Sequence, residues 1–164
     1  MARKMDVELF IDRLITILKA SLSAKVSEIN AECAGDGHSI TLATVPTTNY
    51  FFGGLPDDVN VDPWIVIHLF GEVQATTNGS AVKKNVTAFI SFGGSAFIMD
   101  SQEKLTRTFF RYMRAIEECI AQNFDAIHSS SALTITQIPS INLESDANEV
   151  IRTDPGVLVN ATFI

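Results

Sequence analysis

The stretch Pro63-Trp64-Ile65-Val66-Ile67-His68-Leu69-Phe70-Gly71-Glu72-Val73 decides how the chain is read. From Trp64 to Phe70 the residues are apolar at both parities. A strand of that kind can be covered on both faces, so it is predicted to lie in the middle of a sheet. Twelve residues further on, Asn85-Val86-Thr87-Ala88-Phe89-Ile90-Ser91-Phe92-Gly93-Gly94 reads as a second strand. The connection between them contains Asn78-Gly79, a strong turn dipeptide for hairpins. Residues 64–92 are therefore expected to form a long antiparallel ribbon whose polar tip projects beyond the body.

Outward from the ribbon, residues 6–32 carry apolar side chains at Val7, Phe10, Ile11, Leu14, Ile17, Leu18, Leu22, Val26 and Ile29. Spacing of three and four predicts a long amphipathic helix, with Arg13, Lys19 and Lys25 outside the stripe. After the ribbon, Asp100 stands three residues before Glu103 as a capping-box-like start. Leu105, Phe109, Tyr112, Met113, Ile116, Cys119 and Ile120 then supply the buried stripe of a second helix running to about Phe124. A short strand is expected over residues 39–45, and two closing strands over 133–141 and 156–164, joined by the polar connection 142–149. The order α, β, β, β, α, β, β, without an internal repeat, predicts one α+β domain over 1–164: a mostly antiparallel sheet with both helices on one face. A chain of 164 residues buries about two thirds of its unfolded surface and folds without staples.

Between Pro46 and Pro63, the Gly53-Gly54 pair and Pro56 are expected to exclude a regular element. Tyr50, Phe51 and Phe52 are nevertheless costly to leave in water. They either meet a neighbouring subunit or fold back over their own core. Lys104, Arg107, Arg111 and Arg114 line the other side of the second helix. They form either a solvated face with pairs such as Arg114 to Glu118 or a basic strip for an acidic partner.

Net charge is −7, and residues 33–99 carry two basic against five acidic groups while 126–164 carry one against four. This balance lacks the basic footprint of a protein that grips nucleic acid. An acidic wall can still let DNA pass by repelling its phosphates. Cys33 and Cys119 have no metal-ligand spacing and are expected to be small buried hydrophobes in a reducing compartment. Asp6, Glu8, Asp12 and Arg13 interrupt the one stretch that resembles a secretory signal, and no run is long enough for a membrane span, so a cytosolic site of synthesis and residence is expected.

Reactive constellations are scarce. Gly93-Gly94-Ser95 lacks the spacing of a phosphate loop. Asp58-x-Asn60-x-Asp62 imitates half of a calcium loop, but Pro63 replaces the turn glycine and Leu69 the bidentate glutamate. His38, His68 and His128 are far apart, and His68 reads as a satisfied sheet histidine. No catalytic motif is present, so no cofactor or metal is expected and the protein is read as a non-enzyme.

The order of elements resembles that of the small tail terminator, or tail completion, proteins of tailed bacteriophages. The likeness is carried by the opening helix over 6–32, the aromatic-glycine segment leading into Pro63-Trp64-Ile65-Val66-Ile67, and the ribbon strand ending in Phe92. The helix with Arg111-Tyr112-Met113-Arg114-Ala115-Ile116 and the terminal strand over 157–164 complete it. The resemblance implies a structural virion protein of the neck, assembled in the host cytoplasm. Six copies would form a ring that caps the tail tube and joins the tail to the head connector. Partners would be further copies of the chain, the tube protein, a head-completion protein and a sheath protein, with DNA passing the lumen unbound. A ring needs a heterologous interface that closes. Tyr50, Phe51 and Phe52, the turn at Asn78 and Gly79, and the basic strip of Lys104, Arg107, Arg111 and Arg114 are the candidates for it. Two other readings stand beside this one: a head-completion protein on the portal side, and a small cytosolic ligand-binding or enzymatic domain with 46–63 as a lid.

Overall fold

A computed structural model describes residues 6–56, 63–79, 81–94, 101–123, 132–138, 142–144, 150–152 and 155–163. The expected calcium-loop imitation, the turn at Ser95, Asp100 and His128 lie outside these residues. The first helix, α1 (Val7–Glu32), starts on Asp6, whose carboxylate accepts from the Leu9 amide at 2.8 Å. That bond satisfies one of the orphan donors of the first turn. Chain order then runs β1 (Tyr50–Phe52), β2 (Trp64–Leu69), β3 (Gln74–Asn78), β4 (Ala81–Gly93), α2 (Gln102–Gln122), β5 (Ala132–Ile138), β6 (Asn142–Glu144), β7 (Val150–Arg152) and β8 (Gly156–Phe163).

The main sheet has six strands in the order β1-β2-β4-β8-β5, with β3 beside β4. All its pairings are antiparallel except β1 with β2. The α+β class is as the patterning predicts, and the axis of the sheet is β4. This strand pairs with β2, β3 and β8, whereas β2 sits one strand from the edge. Its two-sided hydrophobicity still has a purpose, because Ile65 and Ile67 enter the core shared with both helices while Val66, on the opposite face, is also buried.

Alternation sorts the sheet residues cleanly. Ile65, Ile67, Val86, Ala88, Ile90, Phe92, Val157, Val159 and Ala161 join the stripes of α1 and α2 in one apolar cluster. Phe92 meets Tyr112 of α2 at 4.8 Å between ring centroids and Phe109 at 5.9 Å. Burial on this scale is the main favourable term in folding.

Several expectations are corrected. No strand forms over 39–45, although Ile40, Leu42 and Val45 are buried. The Asn30 side chain takes the place of a neighbouring strand: its amide donates to the Leu42 carbonyl at 3.0 Å and its oxygen accepts from the Leu42 amide at 2.8 Å. Tyr50–Phe52, expected to be irregular, is a parallel edge strand. Buried Asn49 leads into it, donating to the Pro63 carbonyl at 3.1 Å and accepting from the Ile65 amide at 2.9 Å through its own carbonyl. Helix α2 is capped by Ser101, not Asp100; the Ser101 hydroxyl accepts from the Lys104 amide at 3.2 Å. Lys25 is buried, not outside the stripe, and its ammonium lies 2.6 Å from Glu28 and 3.6 Å from Glu118 of α2. The connection 142–149, expected to be polar loop, opens with the short strand β6, which pairs with β7 just beyond it.

Candidate assembly surface

The ribbon is built from β2 and β3 along one side of β4, with a break at residues 70–73. Gly71, at φ 74°, takes the left-handed turn that the break requires and that side chains other than glycine rarely adopt. Strand β8 accompanies β4 only as far as the Lys84 to Phe163 pair. The rungs Thr76 to Lys83, Thr77 to Val82 and Asn78 to Ala81 therefore form a two-stranded tip that outruns the sheet. Residues 74–77, Gly79, Val82 and Lys83 are exposed. Asn78 pairs with Ala81, so Asn78 ends its strand and the chain turns away at Gly79, whose φ of 65° suits a turn.

Exposed apolar side chains occur along the ribbon on both faces of the sheet. Leu69 is 41% exposed, Phe70 58%, Val73 42% and Val82 44%. Phe52 is 52% exposed and pairs with Ile67, so it stands diagonally beside Leu69 on the same face of the sheet. Leu55 is also exposed. These side chains were not singled out by sequence reasoning, apart from Phe52. The signal was present in the length of the run Trp64–Phe70, which continues past the three residues that β1 can cover.

The three aromatic candidates of β1 divide. Tyr50 is in the core, with its hydroxyl 3.4 Å from the Leu18 carbonyl, and burial raises its phenol far above the ordinary value. Its part of the segment thus folds back on its own domain. Phe51 is half-buried on the opposite face, and Phe52 points outward.

The basic strip is tied to acids of the same chain. Arg107 bonds Glu103 at 2.9 Å, and Arg114 reaches Glu118 at 2.6 Å and Glu32 of α1 at 2.8 Å. Arg111 pairs with Asp36 in the loop after α1. The Asp36 carboxyl is held below the usual carboxylate range, first by the His38 amide and then by Arg111. Glu118 is lowered likewise, chiefly by its hydrogen bond from Arg114 and further by Lys25. Lys104 is half-buried at the start of α2. These charges lock α1, its exit loop and α2 together more than they offer a free basic patch.

On the face of the sheet away from the helices, His68 stacks on Phe89 at 6.5 Å and Phe70 lies 6.3 Å from the same ring. The His68 Nε2 is 3.3 Å from the Ser91 hydroxyl. A shallow depression on α2 is lined by Gln102, Glu103, Thr106, Arg107 and Phe110, the last 48% exposed. Among the described residues no group of His, Cys, Asp or Glu side chains is placed to hold a metal ion, and no helix is long and apolar enough to cross a membrane. Cys33 and Cys119 are both free thiols, Cys33 half-buried against the core and Cys119 fully within it. Compared with known proteins, the chain matches no family model and no curated sequence.

Proposed function

We propose that this chain is a ring-forming structural subunit of a tailed bacteriophage, a tail terminator that caps the tube and joins tail to head connector. The observation that carries the reading is a pair of exposed apolar side chains, Phe52 and Leu69, on one face of the sheet, with exposed Phe70 on the other face, below a projecting ribbon tip. Neighbouring large apolar side chains left exposed, such as Phe52 and Leu69, mark an interaction surface. A ribbon that outruns its sheet also reaches beyond its own subunit, as a heterologous ring contact requires. The acidic balance of the strands and loops suits a lumen through which DNA passes unbound.

Mass measurement under native conditions, with and without tail tubes, tests the reading. A species of about six copies, free or seated on tube ends, is the expected result for a closed ring. A persistent monomer that also ignores tube ends overturns it.

A further inference from the structure

We propose that Asn78-Gly79 at the ribbon tip is a site of spontaneous backbone modification, where Asn78 converts through a cyclic imide to isoaspartate and aspartate. The amide nitrogen of Gly79 attacks the side-chain amide carbon of Asn78, a new C–N bond forms, and ammonia leaves. Water then adds to one of the two ring carbonyls and breaks a C–N bond. Opening at one side restores the ordinary backbone with an aspartate, and opening at the other routes the main chain through the side-chain carbon. No electrons are exchanged, and water is the sole co-reactant.

Two features single this position out. Asn78 is the one asparagine of the chain followed by glycine, so no β-carbon shields the attacking nitrogen. The fold then leaves the pair on a weakly supported ladder. The last three rungs hang on a two-stranded ladder beyond the final β8 pair, and the break at residues 70–73 separates β3 from β2. A ladder of two strands is marginal by itself, so opening at the tip costs little. Asn30 and Asn49, by contrast, are held by hydrogen bonds at the core.

Either product adds a negative charge to the ribbon that carries Lys83 and Lys84, the only basic residues of 33–99. Isoaspartate also inserts an extra main-chain atom at the Asn78 to Ala81 rung and disrupts it. The ribbon therefore ages chemically while the core does not, whatever the protein assembles with.

The test incubates the full-length protein in warm, mildly alkaline buffer beside a free peptide of residues 74–84. Peptide mapping with isoaspartate detection follows both. The expected result is a gain of one mass unit confined to the peptide bearing Asn78, with isoaspartate as the main product and a rate approaching that of the free peptide. Gly79→Ala slows the reaction, and Asn78→Asp reproduces the charge without the loss of amide protection at the tip. The proposal is overturned if Asn78 in the folded protein reacts no faster than the other asparagines, whether the free peptide converts or not.

Discussion

Both tyrosines of this chain, Tyr50 and Tyr112, are buried, and burial raises both phenols above their ordinary value. The Cys119 thiol, with its sulfur 3.8 Å from the Ile17 carbonyl, is pushed up to about 11 by the same desolvation. An acid whose folded value is raised keeps its proton in the fold while the unfolded chain loses it. Stability is therefore full below the ordinary values, about pH 9 to 10, and falls above them by up to about 1.4 kcal/mol per pH unit for each group. We expect the tyrosinate absorbance to appear together with loss of helical circular dichroism, in one transition. Ionisation of either tyrosine with the fold intact would show that its phenol is not in the core. Gly156 gives a second prediction at this scale. A β-carbon there would lie 2.4 Å from the Ile90 carbonyl and 2.6 Å from the Phe89 ring. Gly156→Ala has to push β8 from β4 and is expected to cost about 1–3 kcal/mol, measured by denaturant unfolding. At Gly93 the obstacle is the Trp64 indole at 2.5 Å, a side chain that can turn away. Gly93→Ala should cost less and shift the emission of the only tryptophan.

Among the elements, α1 and α2 are joined by a charge network as well as by their apolar stripes. Lys25 and Arg114 share Glu118, Arg114 also holds Glu32, and Arg111 holds Asp36. Because Asp36 and Glu118 have lowered values, their contribution is present above the ordinary carboxylate range and is lost as pH falls through the folded values, below about pH 4. Hydrogen exchange in the α1 exit loop should rise in that acid window and not between neutrality and pH 5. Glu118→Gln is expected to lower the melting temperature more than Glu103→Gln, since the exposed Glu103 to Arg107 pair contributes about 0.5 kcal/mol at most. Should the two variants melt alike, the shared carboxylate is no more than a surface charge. The amphipathic periods of both helices were legible in sequence because the 3.6-residue repeat is a local property. Burial of Lys25 was not, for it depends on which acid of α2 comes alongside. The parallel strand Tyr50–Phe52 escaped for a similar reason: glycines and prolines around it signal a loop, and only the neighbouring edge of β2 supplies its hydrogen bonds.

For the whole molecule, the proposed ring reading makes exposed Leu69 and Phe70 at the base of the ribbon the positions on which assembly is expected to turn. Leu69→Asp with Phe70→Asp places charge at exposed positions and should leave the melting temperature within about 2–4 °C of the parent. The same double variant is expected to abolish higher-order species in native mass measurements, and rings that survive it would move the interface elsewhere. Deleting residues 76–81 removes rungs that lie outside the core, so the fold should persist, and on the proposed tail-terminator reading the joining of tails to heads should be lost.

What the sequence determined by itself is whatever repeats along the chain: two amphipathic helices, the alternating strands of the ribbon and of the C-terminal pair, and the α+β class that follows from their order. Tertiary structure alone decided how those pieces meet. It made β4 the axis of the sheet, drew Tyr50 into the core, satisfied Arg111 and Arg114 of α2 with acids distant in sequence, and left Phe52, Leu69 and Phe70 uncovered. Periodicity reports which side of an element is apolar, whereas exposure depends on whether a neighbouring element is long enough to reach it.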